Sequence, residues 1–223
     1  CFSELREKFR GRIKENESLR DWTTFHCFAK ASAIVMPRGI DELNSLVLLL
    51  SSHGLHFGKD WQVIGCGSNL LIRDGGYPGV LIDLSEGFSG IDLVSEGPKE
   101  VVVRAEGGVR NGTLLAWARE RNFSGLGWIF GIPGSVGGGI RMNAGTPLGW
   151  YGKITKRVEG LDSSGRNVTL EVASSQFEYR DFPSAKGLII TAAHLTLGRS
   201  DPKTVEEEIN AAKKKRQDQP LDL

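Results

Sequence analysis

Two glycine-rich segments carry the residues whose types and spacing could do chemistry. In the first, "GCGSN" at 65–69, Ser68 and Asn69 follow two glycines, so a tight turn there presents backbone N–H groups, a hydroxyl and a carboxamide together. The second, "IFGIPGSVGGGIRMNAG" at 129–145, has glycine at six of its seventeen positions. Backbone without side chains can approach a ligand closely, and the two segments together favour a phosphate-bearing one.

Neither segment matches a familiar nucleotide-binding motif. Leu70 occupies the third glycine position of the GxGxxG fingerprint. Gly134 and Gly139 have the GxxxxG spacing of a P-loop, but Ile140 and Arg141 stand where lysine and serine or threonine are required. Each segment taken alone would fit a tight turn between strands equally well.

The composition argues against several classes of function. The 223 residues include 28 Lys and Arg against 27 Asp and Glu, and a net charge of +1 gives no drive toward nucleic acid or an anionic membrane. The longest apolar run, "LVLLL" at 46–50, is far below the roughly 20 residues of a membrane span. Cys1, Cys27 and Cys66 show no metal-ligand or disulfide pattern, so we expect no metal site and a protein of the reducing cytoplasm.

The elements that position the two segments mix helices and strands without a regular βαβ rhythm, which predicts an α+β fold. An amphipathic helix is predicted over 2–19, and another over 40–54 with Asp41 as its N-cap and Gly54 as its stop. A third covers 111–122. A last helix over 201–217 has Pro202 at its start, acidic residues early and basic residues late.

Short β-branched runs bounded by Gly, Pro and Asp predict the strands "WQVIG", "GVLIDLS", "VVVRAEGG" and "GLIITAAHLTL". The stretch "KRVEGLDSSGRNVTLE" predicts two strands joined by a turn at 162–165. We expect a first subdomain over 1–84, a second over 85–205 and a C-terminal helical segment over 206–223.

Four motifs follow one another along the chain: "TTF" at 23–25, "GCGSNLLIRDGG" at 65–76, "GIPGSVGGGIRMNAG" at 131–145 and "YR" at 179–180. Their order and spacing resemble the UDP-N-acetylenolpyruvoylglucosamine reductase (MurB) family over roughly residues 23–220. The resemblance implies a monomeric flavoenzyme of peptidoglycan precursor synthesis. Its FAD lies between two α+β subdomains of the vanillyl-alcohol-oxidase (PCMH) type, NADPH donates hydride, and the UDP-sugar substrate is reduced to UDP-N-acetylmuramate.

The resemblance also implies which residues contact the cofactor. In the first subdomain, the resemblance implies that the pyrophosphate is contacted by Gly65, Cys66, Gly67, Ser68, Asn69 and Leu70. Cys66 is interpreted as a small side chain and not as a redox thiol. The opposite wall is Gly131, Ile132, Pro133, Gly134, Ser135, Val136, Gly137 and Gly138. Nearer the flavin and substrate are Asn143, Ala144 and Gly145, and Ile190 is either an adenine contact or plain core. Glycine recurs, in this interpretation, because the ligand leaves room for nothing larger.

Arg180 matches the active-site arginine of the family, and Tyr179 is its neighbour in the substrate site. The family reaction passes a hydride from NADPH to the flavin and then to the enolpyruvyl group of the substrate. A guanidinium beside the enolpyruvyl carboxylate would stabilise the negative charge that develops during the second transfer. The resemblance therefore implies a catalytic role for Arg180.

Some positions depart from the family pattern. Residues 26–29 read His-Cys-Phe-Ala where an arginine and a Gly-Gly pair usually follow "TTF", which puts a bulky ring where close backbone packing is expected. Gly127 stands where an acidic residue is common, and Phe182 where serine is common. The proton-donating serine and the catalytic glutamate of the family belong to a third, substrate-binding domain and are assigned to no residue here.

Three hypotheses remain open. The chain is part of a complete reductase, or a catalytically silent FAD-binding relative with a scaffold or regulatory role, or a different flavoprotein oxidase on the same fold. The specific middle motifs favour the reductase over the oxidase. We expect residues 1–223 alone to bind FAD without reducing the UDP-sugar at an enzyme-like rate, since a positioned general acid contributes roughly 10²–10⁴-fold.

Overall fold

A four-stranded sheet forms the first subdomain. The computed structural model describes residues 2–26 and 28–217, and its first elements are α1 (Phe2–Lys8), β1 (Arg12–Ser18), β2 (Lys30–Met36), α2 (Ile40–Ser52), β3 (Trp61–Ile64) and β4 (Tyr77–Asp83). The strand order is β1-β2-β4-β3, with β1 antiparallel to β2 and the other three parallel. Side chains alternate across the sheet, so Val35 and Ile82 pack with α2 while Ile34 and Leu81 form a second apolar layer.

The helix predicted over 2–19 is wrong beyond Lys8. The chain turns at Gly11, where a Cβ would collide with the carbonyl oxygen of Met36, and continues as edge strand β1. Pairing with β2 sets Ile13 opposite Val35 and satisfies backbone groups, a tertiary gain that outweighs helix propensity. The charged side chains of β1 protect an exposed sheet edge.

The ends of α2 confirm one predicted signal and correct another. Gly39, not Asp41, is the N-cap, and Asp41 lies in the first turn, where the helix dipole favours a carboxylate. Gly54 follows the helix with φ of +70°, and its N–H donates to the carbonyl oxygen of Ser51 at 2.9 Å. The predicted stop is therefore confirmed, because this left-handed conformation favours glycine.

The second subdomain is an antiparallel sheet with helices around it. Its elements are β5 (Ile91–Glu96), β6 (Glu100–Glu106), α3 (Asn111–Glu120), β7 (Phe123–Ser124), α4 (Val136–Arg141), β8 (Gly145–Thr146), β9 (Gly149–Trp150), α5 (Tyr151–Ile154), β10 (Thr155–Asp162), β11 (Asn167–Glu171), β12 (Leu188–Arg199) and α6 (Pro202–Gln217). The main sheet has the order β11-β10-β12-β6-β5. Its predicted strands are confirmed, whereas the mostly exposed β5 was missed.

The predicted turn between β10 and β11 is confirmed. The Asp162 carboxylate accepts hydrogen bonds from the backbone N–H of Ser164 at 2.8 Å and of Arg166 at 3.0 Å. The Ser164 hydroxyl also donates to this carboxylate, at 2.6 Å, and it is the largest of the causes that lower the pKa of Asp162; the backbone bonds add to its effect. Aspartate favours turns because its carboxylate accepts hydrogen bonds from backbone N–H groups a few residues later in the chain.

The two subdomains share part of one core. Leu161 of β10 and Ile189 of β12 are fully buried in the same apolar cluster as α2. Asn44 Nδ2 of α2 donates to the carbonyl oxygen of Gly165 at 2.7 Å, and the Ser51 hydroxyl donates to that of Ser163 at 2.9 Å. The β10–β11 hairpin therefore fixes the second sheet against the first subdomain.

The last helix, α6, begins at Pro202 as predicted. Its buried residues Val205 and Ile209 belong to the core of the second subdomain, so the boundary expected between residues 205 and 206 falls inside a helix that packs as one unit. Residues 218–223 of the expected C-terminal segment lie outside the described residues. Among the described residues, no helix has the length and apolar character needed to span a membrane.

Candidate functional site

A cleft of about 930 Å³ lies between the two subdomains. The ends of β3 and β4 line it from the first subdomain, and the residues after β6, the start of α4 and the start of β12 line it from the second. Its volume is near the upper end of the roughly 300–1,000 Å³ typical of small-molecule sites. Six residues predicted to contact a cofactor line it: Gly65, Cys66, Ser135, Gly137, Gly138 and Ile190.

The loop after β3 borders the cleft on the first subdomain. Gly67 has φ of +60°, and a Cβ there would collide with the carbonyl oxygen of Trp22, so both conformation and close approach require glycine. Within residues 2–26 and 28–217, the backbone N–H groups of Gly67, Ser68 and Asn69 donate to no protein acceptor. Leu70 packs against the second apolar layer of this subdomain.

The start of α4 forms the opposite wall. The Gly137 N–H donates to the carbonyl oxygen of Gly107 at 2.9 Å, and a Cβ on Gly137 would lie 3.1 Å from that oxygen and 3.2 Å from that of Ile190. Gly138 is different, because it is exposed in the cleft and a Cβ there would meet only Ser135 Oγ, at 3.5 Å. The protein itself therefore leaves room for a larger side chain at this position.

Other glycines of the second segment are required by the protein itself. A Cβ on Gly139 would collide with the ring of Tyr151, and one on Gly145 would collide with the side chain of Trp150. The interpretation that a ligand excludes larger side chains is therefore wrong as a general account of the segment. For Gly138 it stays a prediction, because a Cβ there would meet no protein atom closer than 3.5 Å.

Asn111, the first residue of α3, holds the glycine-rich segment that precedes α4 by hydrogen bonds. Its Nδ2 donates to the carbonyl oxygen of Ile132 at 3.2 Å, and its backbone N–H donates to that of Gly134 at 3.0 Å. Its Oδ1 accepts a 2.7 Å hydrogen bond from the hydroxyl of Tyr151, a fully buried side chain whose pKa desolvation raises. Gly131 and Gly134 have φ of +67° and +149°, conformations that L side chains rarely adopt.

The two walls meet at two points. A Cβ on Gly65 would lie 2.8 Å from Ser135 Oγ, so glycine lets the loop after β3 approach the start of α4. The Ser68 hydroxyl donates to the carbonyl oxygen of Pro133 at 3.0 Å. These contacts bring together residues that lie 65 positions apart, for Ser68 and Pro133, and 70 positions apart, for Gly65 and Ser135.

Cys66, which follows β3, and Asp83, which ends β4, are titratable residues that line the cleft. Cys66 is partly buried, and burial raises the pKa of its thiol, which fits the predicted small side chain and not a reactive thiolate. Asp83, at the end of β4, is buried and accepts hydrogen bonds from the backbone N–H of Ser85 at 3.1 Å and from its hydroxyl at 2.6 Å. Burial raises the pKa of Asp83 even though these bonds oppose the shift.

The cleft also contains charged residues that the sequence did not predict to line it. Three cations are paired, as Arg12 with Glu86 at 3.1 Å, Lys14 with Glu17 at 3.1 Å, and Arg141 with Asp181. Arg110 and Lys186 also line the cleft. They come from separate elements, and no local spacing in the sequence indicates that the fold brings them together.

The predicted catalytic arginine lies on a turn beside the cleft. Arg180 is exposed with φ of +55°, and its guanidinium lies 5.8 Å from the ring centroid of Tyr179, itself 89% exposed. Arg141, the last residue of α4, and Asn143, two residues beyond it, hold both sides of this turn. Asn143 Nδ2 donates to Glu178 O at 2.9 Å, and the cleft-lining Arg141 bonds Asp181. The roles of Arg180 and Tyr179 stay predictions.

The bulky ring that follows "TTF" does not fill space between packed backbones. The Phe28 ring is 82% exposed and lies 5.4 Å from the Arg20 guanidinium. His26 is exposed with φ of +49°, whereas Ala29 is buried and Cys27 lies outside the described residues. The Phe28 ring therefore points away from the close backbone packing that was expected at this position.

The other two departures have packing explanations. A Cβ on Gly127 would lie 2.5 Å from Glu208 Cβ, so glycine admits α6 at this position. Phe182 is fully buried, and its ring stacks on that of Phe177 with centroids 4.0 Å apart.

Comparison with known proteins decides which family these features belong to. Residues 31–170 match the family model described as FAD binding domain. The chain belongs to this family. The chain is 31% identical over 205 residues to the UDP-N-acetylenolpyruvoylglucosamine reductase of Desulfosudis oleivorans, and the alignment covers 89% of this chain and 64% of the relative. The chain spans 62–64% of the length of the first curated relatives it matches.

Solved structures agree with this assignment. The crystal structure of the UDP-N-acetylenolpyruvylglucosamine reductase (MurB) from Thermus caldophilus superposes with a TM-score of 0.77 and 26% identity, covering 95% of this chain and 71% of that one. The 6-hydroxy-D-nicotine oxidase from Arthrobacter nicotinovorans, at 17% identity, TM-score 0.64 and coverages of 86% and 43%, shows the fold alone. The predicted resemblance and the two-subdomain α+β fold of the vanillyl-alcohol-oxidase type are confirmed.

Proposed function

We propose that this FAD-binding domain holds FAD in the cleft between its subdomains and serves NADPH-dependent reduction of UDP-N-acetylenolpyruvoylglucosamine. The observation that carries the proposal is a cleft of about 930 Å³ with glycine backbone on both sides, in a chain that matches the FAD-binding family over residues 31–170. The similarity to reductases of this substrate supports the choice of reaction.

The residues of the cleft fit such a cofactor. Gly138 leaves an open surface for a flat group. On the loop that borders the cleft, the N–H groups of residues 67–69 have no acceptor among the described residues and are donors of the kind that bind phosphate oxygens. Ile190, at the start of β12, offers an apolar contact on the same cleft. FAD, when bound, would supply the redox chemistry, and the protein would supply binding, orientation and electrostatics.

In this proposal Arg180 binds the carboxylate of the enolpyruvyl group and stabilises the enolate charge as it develops. Its guanidinium is exposed and its turn is bonded to the end of α4, so the side chain can meet a substrate while its backbone stays fixed. Tyr179, equally exposed, would pack against the substrate beside it. The proposed setting is peptidoglycan precursor synthesis by a monomer in the cytoplasm.

Two measurements test the proposal separately. The purified chain, reconstituted with FAD, should retain the flavin absorbance bands after gel filtration. NADPH oxidation, with and without the UDP-sugar, is then followed on the longest reading frame that contains this chain, because the chain spans only 62–64% of its first relatives. Failure to retain FAD contradicts cofactor binding, whereas retention of FAD without substrate-dependent oxidation favours the catalytically silent relative.

The Arg180→Ala variant tests the residue assignment. We expect it to retain FAD and to lose most substrate-dependent oxidation, since removing one preorganised charge-stabilising group typically costs roughly 10²–10³ in kcat. Full activity in this variant would contradict the role proposed for Arg180.

A further inference from the structure

Arg110 lies where the two walls of the cleft meet. It immediately precedes α3, and its backbone forms an antiparallel bridge with Ser135. Ser135 is also the residue whose hydroxyl closely approaches the backbone of Gly65 on the opposite subdomain. Arg110 is therefore beside the junction of the loop after β3 and the start of α4.

Arg110 also differs in its pairing from most of the cleft-lining cations. Arg12, Lys14 and Arg141 each bond a carboxylate of the chain. Across residues 2–26 and 28–217, the guanidinium of Arg110 forms no ion pair and no hydrogen bond with the protein. It is exposed in the cleft and has five N–H donors available to a ligand.

The charge of Arg110 acts across the cleft on the first subdomain. Burial raises the pKa of Cys66 and of Asp83, and the positive charge of Arg110 opposes that shift for both groups. Arg110 lines the same cleft as the ends of β3 and β4. Asp83 forms no ion pair with Arg110 in the described part of the chain; its carboxylate accepts its hydrogen bonds from Ser85.

We propose that Arg110 binds the diphosphate of FAD. This assignment rests on the proposed function. A guanidinium offers paired N–H donors that match phosphate oxygens, and a cation without a protein partner does not have to break an ion pair in order to bind them. The neighbouring loop amides of residues 67–69 would donate to the same group from the other subdomain. Arg110 would thus supply the positive charge, and the amides the remaining donors.

The test compares FAD affinity, measured by quenching of flavin fluorescence, between the unmodified chain and Arg110→Gln. Hydrogen bonds to charged groups are among the stronger ones, so we expect binding to weaken about 10- to 100-fold. Arg110→Lys, which keeps the charge but not the fork of donors, should lie between the two. Added salt should weaken FAD binding to the unmodified chain more than to Arg110→Gln.

Arg121→Gln is the matched control. It removes the same charge from the other end of α3, a ten-residue helix, and therefore about 15 Å away. Its FAD affinity should equal that of the unmodified chain, and unfolding of all variants without FAD shows whether each one folds. Equal affinity of the unmodified chain and a folded Arg110→Gln would overturn the assignment.

A second pair of variants separates diphosphate binding from charge balance within the cleft. If Arg110 serves only to offset Asp83, then Arg110→Gln should have no effect in an Asp83→Asn background, and this result would overturn the proposal. If Arg110 binds the diphosphate, the loss persists in that background. Absence of FAD binding to the unmodified chain would instead overturn the proposed function, and this assignment with it.

Discussion

Adjacent glycines of α4 allow a direct test of which ones the ligand requires and which ones the fold requires. Gly138→Ala and Gly139→Ala add the same methyl group one residue apart in the same helix. A Cβ at position 138 meets only Ser135 Oγ, at an ordinary 3.5 Å, and projects where the cleft is open. A Cβ at position 139 collides with the ring of Tyr151.

The expected effects are opposite in kind. Alanine is favoured over glycine inside a helix by about 0.5–1 kcal/mol, so Gly138→Ala should be as stable as the unmodified chain or slightly more so. Gly139→Ala should lose about 1–3 kcal/mol of unfolding free energy, the usual cost of an added methyl in a packed core. The Tyr151 ring cannot move away cheaply, because it is fully buried and its hydroxyl bonds Asn111.

For FAD affinity we expect the larger effect from Gly138→Ala and the smaller one from Gly139→Ala. A methyl at position 138 takes up space against which a flat cofactor would lie, and an overpacking cost of about 1–3 kcal/mol corresponds to roughly 5- to 150-fold weaker FAD binding. Gly139→Ala, once folded, should bind FAD nearly as well as the unmodified chain.

The assays are urea unfolding without ligand and FAD titration followed by flavin fluorescence. Unchanged FAD affinity in a folded Gly138→Ala would refute the placement of this glycine on the ligand wall. A Gly139→Ala variant of unmodified stability would refute the reasoning from the Tyr151 contact.

Three other changes have expected outcomes. Gly134→Val should abolish FAD retention in gel filtration, because φ of +149° excludes a branched side chain and a Cβ would press on Asn111 at 3.2 Å; a folded variant that keeps the flavin would contradict this. Tyr151→Phe leaves the Asn111 carboxamide oxygen buried without its donor and should cost about 1–3 kcal/mol in urea unfolding. Glu159, whose pKa falls from 4.5 to about 2 chiefly through hydrogen bonds from Arg104, contributes stability that is present above pH 4.5 and lost as the pH falls toward 2. Glu159→Gln should flatten the pH dependence of the unfolding free energy across that window, and an unchanged profile would contradict the attribution.

Local sequence signals predicted the elements whose determinants lie within a few residues. The Asp162 turn, the stop at Gly54 and the start at Pro202 each depend on a side chain or a backbone angle at that position. The strand at 12–18 could not be predicted in this way, because it is set by pairing with β2, whose residues lie about 18 positions further along. Helix propensity alone describes its charged sequence equally well.

In the candidate site, too, only the residues that are close together in the sequence could be predicted. Its glycine segments were visible because they are contiguous, and a family resemblance could be stated from them. Arg110 and Asp83 were not visible, because one precedes a helix of the second subdomain and the other ends a strand of the first. The sequence also could not distinguish Gly138 from Gly139, because the difference is the position of the Tyr151 ring.

The core shared by the two subdomains has a consequence for the kinetics of cofactor uptake. Because Leu161 and Ile189 are buried with α2, and Asn44 bonds the hairpin turn, opening the cleft would expose apolar surface that the whole chain uses for stability. The cleft is thus preformed. FAD would associate in a single kinetic phase whose rate rises linearly with its concentration, with no slower closure of one subdomain onto the other to limit it.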